Sequence, residues 1–343
     1  MANPQAGPEA LPPHAQLVQM GTAHWVSHLI YAAADLGLAD LLASGPRTAD
    51  ELAVPTKTHG PTLYRFLRTL SSLGLFSEDS GRRFSLTPLG EALKSGAPGN
   101  ARPSILTLGS EWVHRSFQEL AYCLQTGKPG FDKAMGVPIF DWLGKHPREA
   151  SMFSETMIGF HGAEPAAVAA AYNFSGMKTI IDVGGATGHL LTTVLSSNPG
   201  ATGILYDLPH VVKDAPALIQ SQGLTNRVAI QAGSFFDQVP AGGDAYLLSH
   251  VIHDWSEAQC LTILGNCRKA MKPDGRVLLI EMVLPAGNVP HPGKMLDMMM
   301  LVGPGGQERT EKEYADLLGK ARFRLARVVP TASAVSVVEA LPA

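Results

Sequence analysis

The sequence predicts an α/β protein in two parts: a helical, winged-helix-like N-terminal domain and a doubly wound, mostly parallel seven-stranded sheet. Three observations predict it. After Lys178, short β-branched runs alternate with helical stretches, the pattern of a parallel sheet covered on both faces. Residues 16–103 instead carry helical periodicity and one short ribbon. The length of 343 residues exceeds that of a usual single domain.

Residues 1–15 hold four prolines and no basic segment before an apolar run, so they read as a flexible tail and not a signal peptide. Apolar residues then recur at helical spacing to Leu42 (Val26, Leu29, Ile30, Ala33, Leu36, Leu38, Leu41), and Gly45-Pro46 ends the pattern. Thr48 and Glu51 form a capping-box signature. A second helix over 61–73 and a ribbon broken at Ser80-Gly81 complete a winged-helix outline. Its recognition helix carries only Arg65 and Arg68 as basic residues beside Leu63, Phe66, Leu67 and Leu70. A face so apolar suits an interaction or dimerisation role better than DNA binding.

The remainder, 104–343, is read as one domain with a helical acceptor-pocket segment over 104–172 and a ligand-binding core over 173–343. Strands are expected at 179–183, 203–207, 227–231, 244–250 and 276–281, with 324–329 and 334–340 closing the sheet as an antiparallel hairpin. Charge argues against a polyanionic partner, since 27 basic residues face 30 acidic ones. Three cysteines without a CxxC spacing fit a reduced, cytoplasmic protein. No run of about 20 apolar residues predicts a membrane span.

The chemistry gathers at strand ends. The loop Asp182-Val-Gly-Gly-Ala-Thr-Gly188 follows the first strand and opens a helix, where glycines let a ligand approach backbone N–H groups. It lacks the Lys-Ser/Thr of a phosphate loop and the strict GxGxxG spacing. Asp207 ends the second strand, where a carboxylate accepts ribose hydroxyls. Gly233-Ser234-Phe235 ends the third strand beside the expected adenine, and the fourth delivers Ser249, His250, His253, Asp254 and Trp255 to the same edge. Ribose binding alone leaves a nicotinamide-dependent oxidoreductase open. A ligand-sensing winged-helix regulator is a third reading.

Four ordered motifs, DVGGATG (182–188), YDLPHV (206–211), HDWS (253–256) and GPGGQERTEKEY (303–314), closely resemble the caffeic acid and flavonoid type of S-adenosylmethionine-dependent O-methyltransferase and its bacterial small-molecule relatives. The resemblance runs from about residue 17 to 340. It implies a class I methyltransferase, Rossmann-like core and a winged-helix domain that forms a homodimer. It also implies S-adenosylmethionine as cofactor and methyl transfer, without metal, to a hydroxyl of a small aromatic acceptor. Onto matching positions it carries His253 as general base with Glu281 and Glu308 holding it. Gly184, Gly188, Asp207, Leu208, Ser234, Phe235 and Ser249 fall on the cofactor side. Trp112, Met157, Phe160, His161, Asp254 and Met299 are the acceptor-pocket candidates.

Three departures stand out. Ala186 replaces a glycine, so a negative φ is expected there. Ser234 replaces an Asp, and Gly303 replaces an Asn. His250, His253 and Asp254 can be drawn as a metal set, but a strand end and a helix start share no face, so no metal is expected.

Overall fold

The computed structural model describes residues 11–97 and 99–343. The expected tail lies outside the described residues as far as residue 10, and its last three positions are helical. Chain contacts define two compact units, one running to His114 and taking in His146–Gly159, the other Arg115–Lys145 and Phe160–Ala343.

The first unit begins with α1 (Pro13–Gly21), α2 (Ala23–Asp35) and α3 (Leu38–Leu42). Pro13 opens α1 because its fixed φ suits a first helical position and it has no N–H to leave unpaired. The single long periodic stretch is thus three helices, broken at Thr22 and again where Gly37 adopts φ +63°. Strand β1 (Arg47–Thr48) leads into α4 (Ala49–Thr56), whose N-terminus is capped by Thr48 and Glu51 as expected. Such a cap contributes about 1 kcal/mol. Next come α5 (Gly60–Ser72), β2 (Phe76–Glu78), β3 (Arg83–Leu86), α6 (Pro88–Glu91) and α7 (Arg102–Leu108). Strands β1, β3 and β2 make a small antiparallel sheet. Leu38, Leu52, Leu63, Leu67, Leu70, Phe76 and Phe84 form the core. Met152 packs on it and Thr156 bonds Thr107 at 2.8 Å, which is why 146–159 belongs here.

Helices α8 (Glu111–Gln118), α9 (Leu120–Thr126), α10 (Gly130–Met135), α11 (Ile139–Leu143), α12 (Pro147–His161) and α13 (Glu164–Ala171) follow. The second unit then alternates β4 (Thr179–Val183), α14 (His189–Ser197), β5 (Thr202–Asp207), α15 (Pro209–Val212), α16 (Ala215–Ser221), β6 (Val228–Ala232), β7 (Ala245–Ser249), α17 (Glu257–Ala270) and β8 (Arg276–Glu281). It ends with β9 (Val283–Leu284), α18 (Pro292–Val302), β10 (Arg309–Thr310), α19 (Glu311–Lys320), β11 (Phe323–Pro330) and β12 (Ser336–Pro342). The sheet order is β11-β12-β8-β7-β4-β5-β6. Five strands run parallel, and β12 pairs antiparallel with both β11 and β8. The expected hairpin therefore closes one edge.

Strand order reverses between β4 and β7, and ligands of doubly wound folds collect at that switch point. Apolar residues coat both faces of the sheet in two clusters. One contains Tyr246, Leu248 and Ile263, the other Ile180, Leu191 and Leu247. Among the described residues no helix is long and apolar enough to cross a membrane. All three cysteines are free and buried.

Candidate active site

The glycine loop leaves the end of β4. Gly184 takes φ +72°, its N–H bonds the Tyr206 carbonyl at 2.8 Å, and Gly188 precedes α14 as its N-cap. A side chain on Gly185 would place Cβ 2.5 Å from the Asp182 carboxyl carbon, so the loop folds back over Asp182 only with glycine there. The expectation for Ala186 fails: its φ is +50°. Its N–H donates to Asp207 Oδ2 at 2.9 Å, and this bond holds the alanine in a conformation that an L-residue adopts at roughly 1–2 kcal/mol.

Asp207 stands at the end of β5 and also accepts the Leu208 N–H at 2.6 Å. Each oxygen retains a further lone pair for a hydroxyl. Burial raises its carboxyl above the ordinary value despite those two bonds. Asp182 is more extreme. Both its oxygens are buried without a hydrogen-bond partner, and burial, helped by the Asp207 charge, pushes it up to about 7. A buried polar group with no partner in the chain is satisfied by a proton, a water or a ligand. Donor groups of S-adenosylmethionine, an ammonium and two ribose hydroxyls, fit these two carboxylates. Ser234 Oγ accepts the Phe236 N–H at 3.2 Å, and the Phe235 ring lies within 3.4 Å of where a Gly184 Cβ would stand. Ser249 ends β7, half-buried.

Across the switch point the chain turns sharply. His250 has φ +53°, and a 3-10 turn over Ile252–Asp254 presents His253. Ser249 pairs with Ile280, so β8 delivers Glu281 beneath that turn. Glu281 Oε1 accepts the N–H groups of Ile252 at 2.9 Å and His253 at 3.3 Å, while Oε2 lies 3.4 Å from His253 Nδ1. Glu308 Oε1 is nearer, at 2.6 Å from the same nitrogen. Strands β9 and β10, paired Val283 to Arg309, bring the two glutamates to one place. Gly306 makes that closure possible, since a Cβ there would fall 1.8 Å from the His253 carbonyl oxygen. The Gln307 N–H bonds that same oxygen at 2.8 Å.

Burial sets the electrostatics. It lowers the His253 imidazole, so the ring is neutral at neutral pH. It raises Glu308 to about 7, and raises Glu281 strongly with help from the Glu308 charge. Asp254, 3.6 Å from His253 Nε2, rises to about 6 for the same reason. With Nδ1 committed to Glu308, Nε2 is the nitrogen left to act.

The acceptor candidates scatter. Trp112 is buried on α8 and Met157 half-buried on α12, both in the first unit. Phe160 is 51% exposed, and Met299 is half-buried on α18. His161 is part of a cluster that no sequence spacing announces: Glu164 Oε2 accepts from His161 Nδ1 at 3.0 Å and His250 Nε2 at 2.7 Å. The two rings overlap with centroids 3.8 Å apart, and His250 stands 5.2 Å from His253. Burial opposes the Glu164 anion, but the two imidazole hydrogen bonds prevail and bring it down to about 2. The donor atoms of His161, Glu164 and His250, and those of His250, His253 and Glu281, lie within 4.8 Å of one another. Trp255, which the sequence places at the same strand edge, meets Phe140, Phe235 and Phe236 with ring centroids 4.8–5.9 Å apart.

Comparison with known proteins settles the class. The family described as the O-methyltransferase domain matches residues 117–324, and the O-methyltransferase dimerisation domain matches residues 18–96. The chain belongs to the O-methyltransferase family. This O-methyltransferase is 43% identical over 340 residues to a phenazine O-methyltransferase of Lysobacter antibioticus, covering 99% of each chain. It also superposes on the solved structure of a mitomycin 7-O-methyltransferase with TM-score 0.91 at 34% identity, covering 96% of this chain and 98% of that one. An O-methyltransferase from neocarzinostatin biosynthesis, solved with S-adenosylmethionine and 2-hydroxy-5-methyl naphthoic acid, gives TM-score 0.83 at 32% identity over 93% of this chain and 96% of that one. S-adenosylmethionine is thus the methyl donor, and the nicotinamide and regulator readings fall away.

Proposed function

We propose that this O-methyltransferase methylates a hydroxyl of a small, flat aromatic natural product, phenazine-like or naphthoate-like, with His253 as general base. The observation that carries this is the 2.6 Å contact of His253 Nδ1 with Glu308, which leaves Nε2 as a lone pair at the sheet's switch point. The substrates named for its relatives support the acceptor class. When bound, S-adenosylmethionine supplies an electrophilic methyl group on a sulfonium, which a hydroxyl oxygen attacks once its proton begins to leave. Asp207, Asp182 and the glycine loop would hold it, with Phe235 and Ser234 for its adenine and Leu208 and Ser249 as further contacts.

The chain's own task is to take the proton. A phenol near pKa 10 and an imidazole near 6.5 are mismatched by about 3.5 units, roughly 5 kcal/mol in water. Glu308 narrows that gap, because its carboxylate at Nδ1 favours the imidazolium that forms as Nε2 accepts the proton, while Glu281 fixes the turn through the Ile252 and His253 N–H groups. Asp254, Met299, His161 and Phe160 stand as acceptor contacts on this reading. The exposed Leu17, Val18, Met20 and Trp25 of α1 and α2 support a homodimer formed by the N-terminal domain. The buried free thiols suit a cytoplasmic setting.

Labelled methyl transfer to a panel of hydroxyphenazines and hydroxynaphthoates tests the acceptor, and sedimentation tests the dimer. Transfer to none of the panel, with S-adenosylhomocysteine still bound, removes the aromatic assignment.

A further inference from the structure

Arg309 is the only lysine or arginine that is buried among the described residues, at 4% exposure. It directly follows Glu308. A guanidinium so placed is expected to pair with a carboxylate, yet none lies within 4.0 Å of it among the described ion pairs. Instead its Nη1 donates to the carbonyls of Gln307 at 2.9 Å and Ile252 at 3.4 Å, and Nη2 reaches Cys260 Sγ at 3.9 Å. Meanwhile Glu281 Oε2 and Glu308 Oε2 are buried without hydrogen-bond partners. The cation thus follows Glu308 in the chain without pairing with either carboxylate, and Glu308 Oε1 stays available to His253.

We propose that Arg309 is a positioning residue for methyl transfer: it ties the turn carrying His253 to the segment carrying Glu308 through their carbonyls, and its charge holds Glu308 as the anion the imidazolium needs. This rests on the reading of His253 as the base. A bond to Ile252 O fixes the backbone one residue before the imidazole. A bond to Gln307 O fixes the backbone one residue before the glutamate.

The charge matters because of what else faces Glu308. His253 and Asp254 approach from the 3-10 turn, Glu281 from β8, Asp297 and His291 from α18 and its N-cap, and Tyr314 from α19. His250 and His161 lie beyond. Three of these neighbours are carboxylic acids. Burial raises Glu308, and Arg309 is the one permanent cation among the groups that pull it back. Its removal raises Glu308 further, so a proton stays on the pair at neutral pH and the imidazolium loses its counter-charge.

Substitutions separate charge from tethering. Arg309→Gln keeps N–H donors for the carbonyls and removes the charge, whereas Arg309→Lys keeps the charge and loses the planar fork. Histidine-labelled full-length protein is titrated by NMR, with the His253 signal assigned by its loss in His253→Asn. The expected result is a midpoint for the His253–Glu308 pair about one pH unit higher in Arg309→Gln, near the parent value in Arg309→Lys, with the acid limb of kcat/KM following. Should the glutamine variant fail to fold, Arg309→Met in the S-adenosylhomocysteine complex gives the same reading. A folded, charge-free variant that titrates at the parent midpoint overturns the proposal, as does a lysine variant shifted as far as glutamine. Full turnover by His253→Ala would instead sink the base assignment and leave the titration result standing.

Discussion

The two sides of the switch point are prepared differently. On the base side, His253, Glu281 and Glu308 already contact one another, with Nδ1 held at 2.6 Å and the loop of Gly306 closed over the His253 carbonyl. On the cofactor side, Asp182 is buried with neither oxygen bonded, and Asp207 holds only backbone N–H groups. The base is therefore positioned by the chain's own contacts, whereas the cofactor side has carboxylate oxygens whose bonding a ligand's donors would complete. Electrostatic preorganisation of this kind lowers a barrier because nothing has to rearrange during the reaction.

The largest effect should come from the organised side. His253→Ala should lower methyl transfer by about 10²–10⁴-fold while S-adenosylhomocysteine affinity, measured by calorimetry, stays near the parent value. A parallel loss of cofactor affinity would mean that the two sides are not separable.

Asp182 tests the opposite side through pH. Its folded value, raised to about 7 from 3.8, exceeds the unfolded one, so the unfolded chain gives up the proton first. Stability from the protonated form is intact below the unfolded value and is lost as pH rises through about 7. Asp182→Asn does not titrate. It should stabilise the ligand-free protein by on the order of 2–4 kcal/mol near pH 8, with the gain vanishing below about pH 4 and cofactor affinity reduced. A thermal-melt difference that ignores pH would show that Asp182 is not held neutral.

Gly306→Ala should cost about 1–3 kcal/mol, and reduce kcat more than cofactor affinity, because the new methyl displaces the His253 carbonyl. Unchanged melting and turnover would mean that the closure is loose. The smallest change is Ala186→Gly. Relief of the positive φ should stabilise by at most about 1 kcal/mol, partly offset by the added freedom of glycine in the unfolded chain. A loss of stability would show that the alanine methyl packs usefully.

The cofactor side was the more legible in the sequence. Its loop is contiguous from Asp182 to Gly188, and Asp207 ends a strand whose pattern is plain. The roles of Glu281 and Glu308 came from resemblance, not from local pattern, since 55 positions separate His253 from Glu308. Glu164 lay further out of reach, 86 positions from His250 in a helix with no motif. Such pairings depend on which strand ends meet, and periodicity carries no record of that.

By itself the sequence determined the α/β alternation, the closing hairpin, the capping box at Thr48 and the place of the glycine loop, because each follows from residues close together along the chain. Only the tertiary structure decided the left-handed turn at Ala186, the His161-Glu164-His250 cluster and the burial of Arg309 against backbone carbonyls. Ala186 is held by the hydrogen bond its N–H donates to Asp207 at the end of a neighbouring strand. The rest depend on desolvation and charge, which exist only once distant segments have packed around them.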